Sequence, residues 1–374
     1  MKELEQILKL WHRTEQAGES AVLATIVKTL GSSYRLPGAR MLLTRNRQRA
    51  GTVSGGCLEQ DLVKKAWWLT EAGPVIRRYD TTPEGEIGSG FGLGCNGIIH
   101  VLLERLQPGA AIVLDLASGV CEQRQAAAVG YIVQPAADAG QRLLIDTAGH
   151  VSHNLRDSDL AISLEYESRA ALSELKSRPV ISEGREAFVE VLTPAIRLLV
   201  FGAGDDAVPL TDMARYLGWS VAVFDGRAHY ARREKFPGAH TVSVRRTGDS
   251  MPAMDPWTVA VLMTHSYSQD LDILRELAKT PPRYIGMLGP RKRSAQLLAD
   301  AGIDAAQMSN MHAPMGLDIG ADGPEQVALA VIAEIQTVLN GRTGGPLKER
   351  HGSIHAPEGA IESDAFCVPS ITCA

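Results

Sequence analysis

Residues 202–207 read Gly-Ala-Gly-Asp-Asp-Ala, between a continuous apolar run at 196–201 and a helical pattern at 208–217. This is the G-x-G-x-x-A form of a dinucleotide-binding turn. Gly202 permits the tight turn, Gly204 lets backbone N–H groups approach a pyrophosphate, and a small third residue lets helix and strand pack closely. The next strand pattern, 219–224, ends at Asp225, about 20 residues on, where a carboxylate would accept a ribose hydroxyl and repel a 2′-phosphate. The competing expectation is a Rossmann-like shell that binds no nucleotide, because fold alone does not prove a ligand. Asp205 and Asp206 bring two negative charges to the turn that would hold phosphate. Either they face outward as helix-start residues, or the ligand is not a simple pyrophosphate.

A second constellation is cationic. Gly286-Met287-Leu288-Gly289-Pro290-Arg291-Lys292-Arg293 follows a strand pattern at 284–287 and precedes a helix expected at 294–301. Ligands of open α/β sheets gather at the carboxyl ends of strands. Positive charge is unfavourable at a helix N-terminus, so Arg291 and Arg293 read as an anion site, with Arg227 a candidate of the same kind. His265, in Met263-Thr264-His265-Ser266, stands at another strand's carboxyl end. It is a proton carrier, a polar contact to a ring, or a structural histidine bonding a neighbouring loop.

Among the thiols, Cys57 follows two glycines and precedes a helix pattern, a position that lowers a thiol pKa. Glu59 is close enough to orient a ligand or serve as a base. Cys95 lies in the decapeptide 88–97, G-S-G-F-G-L-G-C-N-G, whose five glycines suggest sharp bends or close approach to a ligand. Cys121 is expected to be buried and inert. Cys367 and Cys373 lack the C-x-x-C spacing of a zinc site and fall in an expected tail. No H-E-x-x-H, P-loop or G-x-S-x-G occurs in the chain.

The elements that must position these residues form two patterns. Up to residue 103, short β-like runs at 21–28, 39–44, 50–53, 75–79 and 98–103, with a helix at 58–70, suggest a small α+β sheet. Residues 106–195, with helices expected at 108–118 and 169–176 and strands at 128–133, 142–146 and 187–192, are expected to complete that sheet. From residue 196, strands at 196–201, 219–224, 258–263 and 284–287 alternate with helices at 208–217, 270–279, 294–301 and 322–339. That alternation specifies a Rossmann-like, doubly wound parallel sheet. The fold class is therefore α/β: an α+β domain at 1–195, a Rossmann-like domain at 196–340 and a flexible tail at 341–374.

Composition narrows the function classes. The 374 residues are 45% apolar and 22% charged, with a net charge of −5, which argues against a basic nucleic-acid coat. Five cysteines, an odd number, make no disulfide framework and fit a reducing compartment. Residues 1–16 read as an amphipathic helix and not a signal peptide, and no run approaches the ~18 apolar residues of a membrane span. A soluble, cytoplasmic protein is expected, with neither nucleic acid nor membrane as partner.

Several longer stretches resemble the XdhC/CoxI family of accessory proteins for molybdenum hydroxylases. They are G-S-S-Y-R-L-P-G-A-R-M (31–41), S-G-G-C-L-E-Q-D (54–61), G-x-G-C-N-G (92–97), F-G-A-G-D-D-A-V-P-L (201–210), D-G-R (225–227), M-T-H-S (263–266), Y-I-G-M-L-G-P-R-K-R (284–293) and G-L-D-I-G-A (316–321). The two aspartates of the glycine turn belong to the family pattern. Pro290 stands where the family commonly has serine, and Asn96 where it often has glycine. The resemblance implies a chaperone that binds molybdenum cofactor, as molybdopterin or its dinucleotide form. Such a protein protects the cofactor while its terminal sulfur is installed, with a cysteine desulfurase as partner. It then delivers the cofactor to an apo molybdenum hydroxylase of the xanthine dehydrogenase type. Carried over by position, Tyr34, Arg35, Arg40, Cys57 and Glu59 of the first domain would contact it, with Gly202, Gly204, Asp225, His265 and Arg291 of the second. The cleft between domains is then the expected site, and a homodimer the expected assembly. The alternatives are an NAD(P)-dependent oxidoreductase using the Rossmann half, and a docking protein that holds no cofactor. The chain lacks the cysteine groupings of iron–sulfur clusters and is too short to be xanthine dehydrogenase itself.

Overall fold

The structure, a computed structural model, describes residues 2–81 and 97–349. Cys95, Asn96, residues 88–94 of the glycine decapeptide, Cys367 and Cys373 lie outside the described residues. The chain divides into two compact units, one ending at Ala195 and one beginning at Ile196.

The first unit opens with α1 (Lys2–Gln16), whose stripe of Ile7, Leu10, Trp11 and Thr14 is buried. Five strands follow with one helix among them: β1 (Ala21–Gly31), β2 (Arg40–Thr44), β3 (Arg49–Gly51), α2 (Cys57–Leu69), β4 (Val75–Asp80) and β5 (Gly97–Leu106). They form an antiparallel sheet in the order β3-β2-β1-β5-β4. The segment expected to extend this sheet builds a second one instead. After α3 (Ile112–Gln123) come β6 (Ala127–Gln134), β7 (Arg142–Ile145), β8 (Val151–His153), α4 (Ser158–Glu174), β9 (Arg178–Ser182) and β10 (Arg185–Leu192). These strands pair among themselves in the order β8-β7-β6-β10-β9. The edges of the first sheet explain why: β3 has only three residues and β4 carries the exposed Arg77 and Arg78, features that discourage further pairing.

The two sheets of this unit share a core. Val27 and Leu102 of one pack with Val129, Tyr131 and Phe188 of the other, and with Val113, Ala117 and Val120 of α3. α4 begins well before the expected residue 169, because Asp157 accepts the amides of Asp159 and Leu160 and caps the helix. α3 ends at Gln123, five residues beyond expectation. Cys121 is exposed there, contrary to the expected burial: it shares the side of Leu114 and Ala117 but stands in the last turn, two residues before the helix ends at Gln123.

The second unit is a six-stranded parallel sheet. Its elements are β11 (Arg197–Phe201), α5 (Ala207–Tyr216), β12 (Ser220–Asp225), β13 (Thr241–Val244), β14 (Thr258–Leu262), α6 (Tyr267–Lys279), β15 (Ile285–Met287), α7 (Arg291–Ala301), β16 (Met311–His312) and α8 (Pro324–Leu339). The strand order β13-β12-β11-β14-β15-β16 is that of a dinucleotide-binding Rossmann sheet, reversing between β11 and β14. Leu198, Leu199, Val200 and Phe201 are fully buried, as a central parallel strand covered on both faces requires. One face packs on α5 and α8 through Leu210, Ala214, Val331 and Ile335, the other on α6 and α7 through Ile273, Leu277 and Leu297. α7 starts three residues before the expected 294, which places Arg291, Lys292 and Arg293 in its first turn. Among the described residues no helix is long and apolar enough to cross a membrane.

Candidate functional site

The carboxyl ends of β11, β12, β14 and β15 bring together most of the polar residues singled out in the second unit. Gly202 directly follows β11 with φ +119°, and a Cβ there would overlap the backbone carbonyl of Met263. Only glycine meets both conditions. The Gly202 amide donates to the Phe224 carbonyl at 2.7 Å, which binds the turn to the end of β12.

Asp225, expected to meet a ribose, is occupied by donors of its own unit. Its carboxylate is buried, and Oδ1 accepts the backbone amide and Nε of Arg227, each at 2.9 Å. Oδ2 accepts the Ala203 amide at 2.9 Å and Nη2 of Arg227 at 2.8 Å. A carboxylate offers about four acceptor positions, and the protein itself fills them. Asp225 thus clamps the glycine turn to Arg227. Burial opposes its charge, but Arg227 and the two amides outweigh that and hold the carboxyl below its ordinary range. Arg227 is also spoken for: it donates to the Thr264 carbonyl at 3.2 Å and lies 4.2 Å from the centre of the Tyr230 ring.

The remaining acids of this edge are paired as well. Asp205 is exposed and ion-paired with Lys235 at 2.7 Å, and Lys235 also donates to the Ala203 carbonyl. Asp206 pairs with Nε2 of His265 at 2.8 Å. Asp270, buried in the first turn of α6, accepts the Thr264 hydroxyl at 2.6 Å and Nη2 of Arg293 at 2.7 Å. The Arg293 guanidinium sits 5.5 Å from the Tyr267 ring centre, and Gly289 turns the chain just before it with φ +119°. Arg291 and Lys292 are exposed, and among the described residues neither side chain forms an ion pair or hydrogen bond. Asp205, Asp225 and Asp270 are balanced by cations and Asp206 is hydrogen-bonded by His265; against that one carboxylate stand Arg291 and Lys292, so the edge keeps a positive balance and can hold an anion.

In the first unit the expected residues have largely structural partners. Arg40 is buried and forks onto Glu190 of the other sheet, also donating to the Tyr131 hydroxyl at 3.0 Å and the Gly38 carbonyl at 3.1 Å. Burial disfavours its charge, and the Glu190 carboxylate beside it more than restores that charge. Arg40 is thus a strut between the two sheets. Glu104 and Arg142 form a second buried pair of this kind. Arg35 forks onto Glu3 of α1 and donates to the Thr52 hydroxyl at 3.1 Å, tying its loop to the first helix. Tyr34 is exposed.

Glu59, expected to orient a ligand or serve as a base, is occupied by donors of its own loop. Its buried carboxylate accepts the amides of Val53 at 3.0 Å, Ser54 at 2.7 Å and Gly56 at 3.0 Å, and the Ser54 hydroxyl. Burial alone would raise its pKa, and the donors from Ser54 and the loop backbone overcome this to lower it. The Ser54 hydroxyl in turn accepts the amides of Gly56 and Leu58 at 3.2 Å. Together these bonds fix the Ser-Gly-Gly turn and set Cys57 as the first residue of α2.

Glu190, Arg142 and Asp270 escaped the sequence reading, although each interrupts an apolar face at the period of its own element. Glu190 alternates with buried Phe188 and Leu192, and Asp270 falls on the α6 stripe with Ile273, Leu274 and Leu277. A charge on such a stripe is the signal of a buried pair.

Comparison with known proteins follows these two units. Residues 15–80 match the family model described as XdhC and CoxI family, and residues 198–335 the XdhC Rossmann domain. A relative from Bacillus subtilis (strain 168), named as a probable xanthine dehydrogenase subunit, is 33% identical over 320 residues, 85% of this chain and 92% of that protein. The molybdenum cofactor insertion chaperone PaoD of Escherichia coli (strain K12) is 23% identical over 355 residues, 88% and 92% of the two chains. A crystal structure from Bacillus halodurans, described as a xanthine dehydrogenase, superposes with a TM-score of 0.75 at 28% identity, covering 91% of this chain and 98% of that one.

Proposed function

The chain belongs to the XdhC and CoxI family, and from that membership we propose that it is a molybdenum cofactor chaperone. In this reading it holds the cofactor, as molybdopterin or its dinucleotide form, and inserts it into a molybdenum hydroxylase of the xanthine dehydrogenase type. Support comes from the relative named as an insertion chaperone, which aligns over most of both chains. The observation that carries the reading is the charge of the carboxyl edge of the Rossmann sheet. Asp205, Asp206, Asp225 and Asp270 are each paired, whereas Arg291 and Lys292 stand exposed and unpaired among the described residues. A phosphate-terminated pterin brings the anion this edge lacks, and arginine suits phosphate.

Cys57, at the start of α2, is the thiol assigned to the sulfur-rich end of the cargo. A cysteine desulfurase as sulfur donor, cytoplasmic residence and a homodimeric assembly belong to the same proposal. An NAD(P)-dependent oxidoreductase has less support, because Asp225 has no acceptor position left for a ribose hydroxyl.

The deciding experiment purifies the protein from a molybdopterin-producing host and measures oxidised-pterin fluorescence and molybdenum. Pterin is expected to co-purify, and Arg291→Ala and Cys57→Ala are expected to reduce its retention about tenfold. A pterin-free protein that instead titrates tightly with NADH overturns the proposal.

A further inference from the structure

We propose that Gly204 and Asp206 are a positioning pair for His265, and that Nδ1 of His265 is the acceptor met by a ring N–H or amino group of the bound heterocycle. The second half rests on the chaperone reading; the first half stands on the geometry of this chain.

His265 has φ +57°, a left-handed conformation uncommon for a residue with a side chain. Both of its neighbours hold it there. The Thr264 carbonyl accepts Arg227, and the Thr264 hydroxyl bonds the buried Asp270 carboxylate and accepts the Ser266 amide at 3.0 Å. The backbone therefore aims the imidazole across to the glycine turn, where Nε2 lies 2.8 Å from Oδ2 of Asp206. An ionised carboxylate only accepts, so the shared hydrogen belongs to Nε2, and a neutral ring then presents Nδ1 as a lone pair. The side chain is 59% exposed, and among the described residues Nδ1 bonds no other group. It stands beside the junction of β11 and β14, where the strand order reverses and ligands of such sheets bind.

Gly204 enters through space. A Cβ on it would overlap Oδ1 of Asp206 and touch the His265 ring at 4.0 Å. Its φ lies outside the left-handed region, so its conformation does not demand glycine. The absent side chain makes room for the carboxylate that orients the histidine. The second glycine of the fingerprint thus serves an Asp–His pair rather than a pyrophosphate.

A double-mutant cycle separates these roles. Gly204→Ala is expected to fold normally, because the overlapping atom is the free end of a side chain that can rotate away. In long-range 1H–15N spectra, the wild-type His265 ring is expected as the single tautomer with hydrogen on Nε2. Gly204→Ala and Asp206→Ala should each produce the same tautomer mixture, and the double variant should add nothing. Molybdopterin affinity should fall about 5- to 10-fold in each single variant, the worth of one hydrogen bond, and no further in the double. His265→Asn, which tolerates the left-handed backbone, should lose as much and become insensitive to Asp206→Ala. A ring tautomer indifferent to Asp206, or losses that add in the double variant, overturns the pair. Wild-type protein that binds no molybdopterin overturns the chaperone reading and the acceptor role with it, and the tautomer spectra still decide the pair.

Discussion

Single residues here divide by whether their polar atoms are already satisfied. Arg40 and Asp225 belong to motifs that sequence reading assigns to a ligand, yet each is buried and bonded to another part of its own unit. Removing one partner of a buried pair strands the other charge and costs about 3–5 kcal/mol. Arg40→Ala should therefore lower the unfolding free energy of the N-terminal unit by about that amount in urea titrations. Unchanged stability with lost cofactor retention would restore Arg40 as a ligand contact. Arg291 presents the opposite case: it is exposed and unpaired among the described residues, so its loss should leave stability alone and affect anion binding.

At the scale of elements, the start of α2 is a small machine built on one carboxylate. Glu59 gathers the amides of Val53, Ser54 and Gly56, and Gly56 turns with φ +125°. Because the folded pKa of Glu59 lies below its ordinary value near 4.5, the unfolded chain takes up the proton first as pH falls. The stabilisation is complete above about 4.5 and disappears as pH drops through the depressed folded value. The protection factors of the Gly56 and Leu58 amides, exchange rates divided by those of a free amide at the same pH, should accordingly fall below that pH. Glu59→Gln should show low protection already at neutral pH and little change across the window, at a cost of about 1–3 kcal/mol. Wild-type protection factors that stay constant across this window would refute the assignment. The opposite end of the charge scale appears at α7, whose first turn carries three cations against the helix dipole. Asp270 offsets Arg293 there, which leaves the other two charges available to a ligand.

Across the whole molecule, each unit has its own cores. The apolar clusters of the parallel sheet use residues from 196 onward, and those of the two antiparallel sheets use residues before 196. A fragment comprising residues 196–349 should therefore fold alone, with a cooperative urea transition and near-native circular dichroism. A fragment that lacks a cooperative transition would show that this sheet depends on the preceding unit. The same separation accounts for the two family matches, one in each unit.

The four central strands of the parallel sheet were legible in the amino-acid sequence because their signals are local, whereas the short edge strands β13 and β16, of four and two residues, carry too little pattern to be read. Continuous apolar runs mark strands buried on both faces, and Gly202 at the end of β11 marks a turn that no other residue can make. The motif stretches likewise identified the family, since they depend only on residue order. The split of the first unit into two sheets was not legible, because strand pairing depends on which edges stay open, and β3 and β4 close theirs through length and charge. Residue roles were hidden for the same reason. Arg40 meets Glu190, 150 positions away, and Asp206 meets His265, 59 positions away. Whether a charged or polar group awaits a ligand or is already satisfied depends on such distant partners, and only the folded chain brings them together.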